Sequence, residues 1–209
     1  MNIELFNFEY IIVFHGSTSD HKESLSKVSL SNCALCTDFG QGFYTTTKYK
    51  QALRWAESKA KAKNNKIDRI NKKIIGKKKE SRVRPLVKAY VFKNKPSKLK
   101  IFDKPETEWK EFLYDCRIDF LKHEYDIVYG PLGDTGIAQL IAEVNEGIIN
   151  REGFIEKIDI NSDFQFDDQI SFHTEQILDR LEDLGEVFND GNAKRIQSEY
   201  ERKNNAIKV

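Results

Sequence analysis

The run Tyr10-Ile-Ile-Val-Phe14 is continuous, apolar and rich in β-branched residues, and it stops abruptly at His15-Gly16-Ser17. A segment of that kind is apolar on both faces, so it reads as a buried strand leading into a loop. Further strands are expected after the glycine-punctuated turn Asp38–Tyr44, over Leu86–Phe92, over Leu99–Phe102, over Tyr125–Gly130 where Gly-Pro stops it, and finally over Gln169–His173. Helical spacing runs from Lys48 to about Lys63, with Ala52, Trp55, Ala56 and Ala60 on one face. A second helix is expected over Glu106–Leu121, with Trp109, Phe112, Leu113, Cys116 and Phe120 inward, and a third over Thr135–Ile149. Thr174 caps a last one carrying Ile177, Leu178 and Leu181 on its apolar side. No GxGxxG opens a helix after a strand, which argues against a doubly wound nucleotide fold and for an α+β domain.

With 209 residues, fourteen Phe, eight Tyr and two Trp, the chain has core material for one substantial domain, expected over residues 1–185, with a polar helical or flexible C-terminal tail over 186–209. No stretch approaches the roughly twenty apolar residues of a membrane helix, and the first residues lack a secretory pattern. Three cysteines, Cys33, Cys36 and Cys116, then read as free thiols of a cytoplasmic protein. The single CxxC lacks a second pair, and His123 and His173 stand alone in the sequence, so no metal is expected.

The net charge of +1 hides an asymmetry: Lys59–Arg84 holds twelve Lys/Arg against only Asp68 and Glu80. One reading is a solvated basic insertion at about 59–84. The other is a landing strip for the phosphates of RNA or DNA, with Lys72, Lys73, Lys77, Lys78, Lys79, Arg82 and Arg84 as its contacts, although no aromatic residue interleaves the run to stack on bases.

A lone histidine at the end of a strand is ambiguous, but Gly16 lets a ligand approach the backbone, whose N–H and C=O can pair with a carboxamide, and Ser17 adds a hydroxyl. About thirty residues on, Phe39-Gly-Gln-Gly-Phe-Tyr44 combines a tight turn with an aromatic ring that could stack on a flat ligand or, equally, serve as core after a hairpin.

His15-Gly16-Ser17, then DFGQGFYTT from Asp38, QALRWA from Gln51, YDIVYGPLGD from Tyr125 and QISFHTE from Gln169 together resemble a bacterial domain family of unknown function linked to the ADP-ribosyltransferases of the diphtheria-toxin and poly(ADP-ribose) polymerase branch. The pieces are short; their order and spacing over residues 10–180 carry the resemblance. It implies split antiparallel β-sheets with flanking helices and a cleft holding NAD as co-substrate. His15 would bind a ribose hydroxyl, the Gly16 backbone the nicotinamide carboxamide, and Tyr44 the nicotinamide ring, with Ser17, Gln51 and Trp55 as further contacts. The resemblance implies a mono-ADP-ribosyltransferase acting on a nucleic acid or protein acceptor, plausible as a toxin or defence effector with an antitoxin partner. The alternative is a non-catalytic nucleotide or nucleic-acid binding module.

The third family motif opens with glutamate, and here that position matches Gln169, so the catalytic set reads His15, Tyr44, Gln169. Breaking the nicotinamide–ribose bond builds positive charge on the ribose carbon, which a carboxylate at the neighbouring hydroxyl would steady. At roughly 4 Å and an effective dielectric of about 20 the lost attraction is at most on the order of 4 kcal/mol, about a thousandfold in rate.

Overall fold

The structure, a computed structural model, describes residues 3–73, 79–95, 97–133, 136–158 and 167–207. Along the chain the strands and helices are β1 (Tyr10–Thr18), β2 (Phe43–Thr45), α1 (Tyr49–Lys73), β3 (Pro85–Lys93), β4 (Leu99–Ile101), α2 (Thr107–Arg117), β5 (Ile127–Pro131), α3 (Ile137–Asn145), α4 (Arg151–Lys157), β6 (Asp168–Phe172), α5 (Glu175–Leu178), β7 (Leu181–Glu186) and α6 (Asp190–Ile207). The class is α+β. Contacts divide the chain into two compact units, each gathered from separated segments.

The first unit takes in Tyr10–Val28, Thr45–Lys93 and Leu181–Val209. Its antiparallel sheet has the order β1-β3-β7. The apolar run is indeed a buried strand, but it does not end at His15: pairing continues through His15↔Lys88, Gly16↔Val87 and Ser17↔Leu86 to Thr18↔Pro85. Long-range ladder partners extend the strand across residues that local composition assigns to a loop. The face carrying Ile12, Phe14, Val87, Ala89 and Val91 packs with Ala52 and Ala56 of α1 and Ala193 and Tyr200 of α6. Small residues at three- and four-residue spacing let α1 lie close to the sheet. A Cβ added to Gly16 would fall 2.1 Å from the Ala52 carbonyl oxygen, so glycine is required there by packing.

Two sequence expectations change in this unit. Trp55 is 56% exposed and does not share the buried Ala52–Ala56–Ala60 stripe. Leu181 begins a strand rather than extending the helix after Thr174, because β7 pairs with the edge of β3 over Leu181↔Phe92 to Glu186↔Lys88. The polar C-terminal segment forms α6, which buries Ala193, Tyr200 and Asn204.

The second unit takes in Met1–Glu9, Ser29–Tyr44 and Asn94–Arg180. Its sheet has the order β2-β6-β5-β4, with β5 and β6 antiparallel and β4 and β5 parallel. This sheet is therefore mixed, whereas antiparallel sheets alone were expected. Its core gathers Phe39, Phe102, Trp109, Leu113, Val128 and Phe154. The helix expected over Glu106–Leu121 ends at Arg117, and Phe120, with φ of 54° and 62% exposure, faces solvent. The helix expected over Thr135–Ile149 is represented by α3, with a separate α4 begun by the Asn150 cap on the Gly153 N–H.

Candidate functional site

On β1, the direction of each backbone pair is fixed by three contacts. Ser19 N donates to Arg84 O on the β3 side, whereas Phe14 exchanges both bonds with Thr46 on the opposite edge. Asn204 also reaches that outer edge: its Oδ1 accepts from Tyr10 N (2.9 Å) and its Nδ2 donates to Tyr10 O (2.8 Å). Antiparallel strands alternate the direction of their hydrogen bonds residue by residue. Gly16, two residues from Phe14 in an unbroken ladder, therefore turns its N–H and C=O to the same outer edge. Lys59 Nζ lies 3.5 Å from that carbonyl and 5.3 Å from the Trp55 ring centroid. Lys59 is exposed as a residue, yet its ammonium is withdrawn from water enough to lower its pKa.

His15 is partly buried, Ser17 and Gly16 are buried, and His15 points to the sheet face away from α1, since Gly16 faces that helix. Gln51 is buried and accepts from Thr46 Oγ1 at 2.8 Å, which holds the start of α1 to the segment after β2.

Tyr44 and Gln169 belong to the second unit, where the Asp38–Tyr44 loop connects them. The Tyr44 hydroxyl accepts from Phe39 N and donates to Gly40 O, both at 2.8 Å. The ring stacks on Phe39 at 6.4 Å between centroids. Burial, more than any neighbouring charge, raises the phenol's pKa, so it stays protonated. The ring also meets His173 edge to face, with centroids 6.3 Å apart. Gly40 has φ of +80°, the left-handed conformation that this turn requires. Gly42 lies against His173, where a Cβ would come within 2.8 Å of the imidazole.

Gln169 is buried, and its Nε2 donates to Asp38 Oδ2 and to Pro131 O, each at 2.9 Å. Asp38, also buried, accepts in addition from Gly133 N at 3.1 Å and from Arg117, through Nε at 2.9 Å and through Nη2. One carboxylate thus joins four separated segments. Sequence reasoning assigned Asp38, Arg117, His123 and His173 no part. Asp38 and His173 lie inside the DFGQGFYTT and QISFHTE strings, but nothing local in those strings shows what they touch. The two histidines that look isolated along the chain stand with ring centroids 4.5 Å apart. Asp134, left without a role by the sequence, lies outside the described residues.

Of the basic positions, Lys72 and Lys73 end α1 and are exposed, as is Lys79. Arg82 is 3.9 Å from Asp68, and Arg84 grips Glu186 with both terminal nitrogens. Lys77 and Lys78 lie outside the described residues. Burial raises the thiol of Cys33 to about 11 and that of Cys116 to about 12, so both stay protonated at neutral pH.

Residues 11–182 match the family described as Protein of unknown function (DUF3990), and the chain belongs to it. No curated protein matches the chain. No solved structure matches it.

Proposed function

We propose that this member of the DUF3990 family is a mono-ADP-ribosyltransferase that takes NAD as co-substrate and passes ADP-ribose to a macromolecular acceptor. The observation that supports this reading most is the outer edge of β1. At Tyr10 a primary carboxamide, that of Asn204, already pairs with one residue's N–H and C=O. Gly16 offers the same donor and acceptor on the same edge, which suits the carboxamide of nicotinamide. In this reading the Tyr44 ring would stack on the nicotinamide, and the fixed amide at Gln169 would accept from a ribose hydroxyl. His15 would bind a ribose hydroxyl, with Ser17 on the same face of β1, and Gln51 and Trp55 of α1 would make further contacts to NAD.

Incubating the purified chain with NAD and total RNA or a protein lysate tests the proposal. Nicotinamide release, accompanied by an added ADP-ribose mass on RNA or protein, is the expected result; the fraction carrying the mass identifies the acceptor. NAD binding without release or adduct would favour a non-catalytic module, the reading that the neutral Gln169 makes the chief alternative.

A further inference from the structure

We infer that Asp38 is a positioning residue for Gln169, fixing the direction of its amide and supplying, through it, the negative charge that glutamine lacks. The inference rests on the reading of Gln169 as the ribose contact. Both hydrogens of the Gln169 amide meet acceptors, Asp38 Oδ2 and Pro131 O, each at 2.9 Å. Turning the amide over would set its oxygen against two other oxygens, so the orientation follows from the partners. Oε1 is left as the atom directed elsewhere, able only to accept.

A carboxylate accepting an amide N–H draws that proton toward itself and leaves the amide oxygen more negative, an effect strengthened where water is excluded. Both side chains are buried, Asp38 to 4% and Gln169 to 4% residual exposure. The polarised oxygen gains most when positive charge develops on the ribose carbon, so the benefit belongs to the transition state. The bond that breaks joins nicotinamide to that carbon, and its electron pair leaves with nicotinamide. In hydrolysis, water's oxygen bonds to the carbon and one proton goes to solvent. Asp38 itself cannot drift: Arg117 holds Oδ1 from two nitrogens, and Gly133 N holds Oδ2.

The arrangement also explains why glutamate does not suit this site. A carboxylate at position 169 would face that of Asp38 with no hydrogen between them, and two such groups at hydrogen-bond distance cannot both ionise readily. Asp38 and Gln169 therefore form a matched pair in which the charge stands one residue behind the ligand-facing oxygen.

Four proteins test this: the natural chain, Asp38→Asn, Gln169→Glu, and the double variant, each measured for nicotinamide release from NAD with kcat and KM separated, and for thermal unfolding across pH. Asp38→Asn is expected to lower kcat by about tenfold or more, the scale of one charge-assisted hydrogen bond, with KM changed far less. Compared with the natural chain at the same pH, Gln169→Glu is expected to lose more stability at pH 8 than at pH 5, where a proton can stand between the two carboxylates. The double variant restores a hydrogen between positions 38 and 169, while Pro131 O and Gly133 N lose their partners, and is expected to recover part of the unfolding temperature and kcat that Gln169→Glu loses. Unchanged kcat in Asp38→Asn, in an active natural chain, overturns the inference alone. No nicotinamide release by the natural chain overturns the functional reading and this inference with it. Should Asp38→Asn fail to fold, the double variant decides: no recovery over Gln169→Glu overturns the pairing.

Discussion

His173 and His123 meet edge to face, and each holds a carbonyl of the loop that delivers Tyr44: His173 Nδ1 is 2.8 Å from Gln41 O, and His123 Nε2 is 2.9 Å from Phe39 O. Those carbonyls can only accept, which assigns the proton to Nδ1 of His173 and Nε2 of His123. The remaining nitrogens accept, from Ser171 Oγ at 2.7 Å and from Tyr125 N at 3.2 Å. Two neutral imidazoles of opposite tautomer satisfy these four contacts, with Ser171 giving its one proton to His173 rather than to Val128 O at 3.2 Å.

A pH dependence follows. Burial, followed by the neighbouring His123, lowers His173 to about 4, and burial lowers His123 as well. The folded chain then binds fewer protons than the unfolded one between about pH 4 and the ordinary histidine value near 6.5, so stability rises with pH through that window. The contribution of His173 is fully present above about pH 6.5 and lost as pH falls toward 4, with a ceiling of about 3 kcal/mol. Urea unfolding from pH 7.5 to 4.5 should show the decline, and His173→Gln should flatten it. An equal slope in both proteins would refute this.

Gly16→Ala is expected to be among the costliest single changes in the chain. The new Cβ would lie 2.1 Å from the Ala52 carbonyl oxygen and 3.1 Å from Ala56 N, both backbone atoms of α1. Neither can rotate aside, so the helix must move, at about 3 kcal/mol or more. Shortening Ala52 to glycine leaves its carbonyl in place and should not rescue the variant. Chemical denaturation of Gly16→Ala, alone and with Ala52→Gly, checks both statements.

These two cases separate what was legible in the sequence from what was not. The strand at Tyr10–Phe14, the Ala52–Ala56–Ala60 stripe and the Thr174 cap follow from local periodicity and capping chemistry, which a single segment carries. Gly16 stands out in the sequence for its lack of a side chain, but its demand for glycine comes from Ala52 and Ala56 of α1. Leu181 reads locally as part of the helix after Thr174 and instead opens β7, because β3 offers an edge. Asp38, His123 and His173 were invisible as a group because each acts through partners brought from other elements by the tertiary fold.

The C-terminal helix is expected to be indispensable. Asn204 satisfies both backbone groups of Tyr10, and Ala193 and Tyr200 lie in the core of the first unit. Asn204→Leu removes two hydrogen bonds and leaves a backbone pair with reduced access to water, a loss of about 2–3 kcal/mol. Ending the chain at Asn189 strips the β1 sheet of one packed helix and should abolish cooperative unfolding. Circular dichroism melts distinguish these outcomes from that of a dispensable tail, for which both variants would melt like the natural chain.

The basic residues should divide into two kinds. Arg84 holds Glu186, whose side chain is only 8% exposed, and lowers its pKa chiefly through that hydrogen bond. Arg84→Ala leaves this carboxylate with Lys22 at 3.6 Å, and is expected to cost about 1–2 kcal/mol of stability. Lys72 and Lys73, exposed at the last turn of α1, should tolerate replacement by glutamine within about 0.5 kcal/mol. If that helix end receives phosphates, replacing both lysines lowers the slope of log affinity against log salt by about 2, while Arg84→Ala leaves the slope nearly unchanged. Filter binding to single-stranded RNA at several salt concentrations, beside thermal melts of the same proteins, reads both effects. Equal losses of RNA affinity from the two replacements would show that the ion pair to Glu186 does not set Arg84 apart.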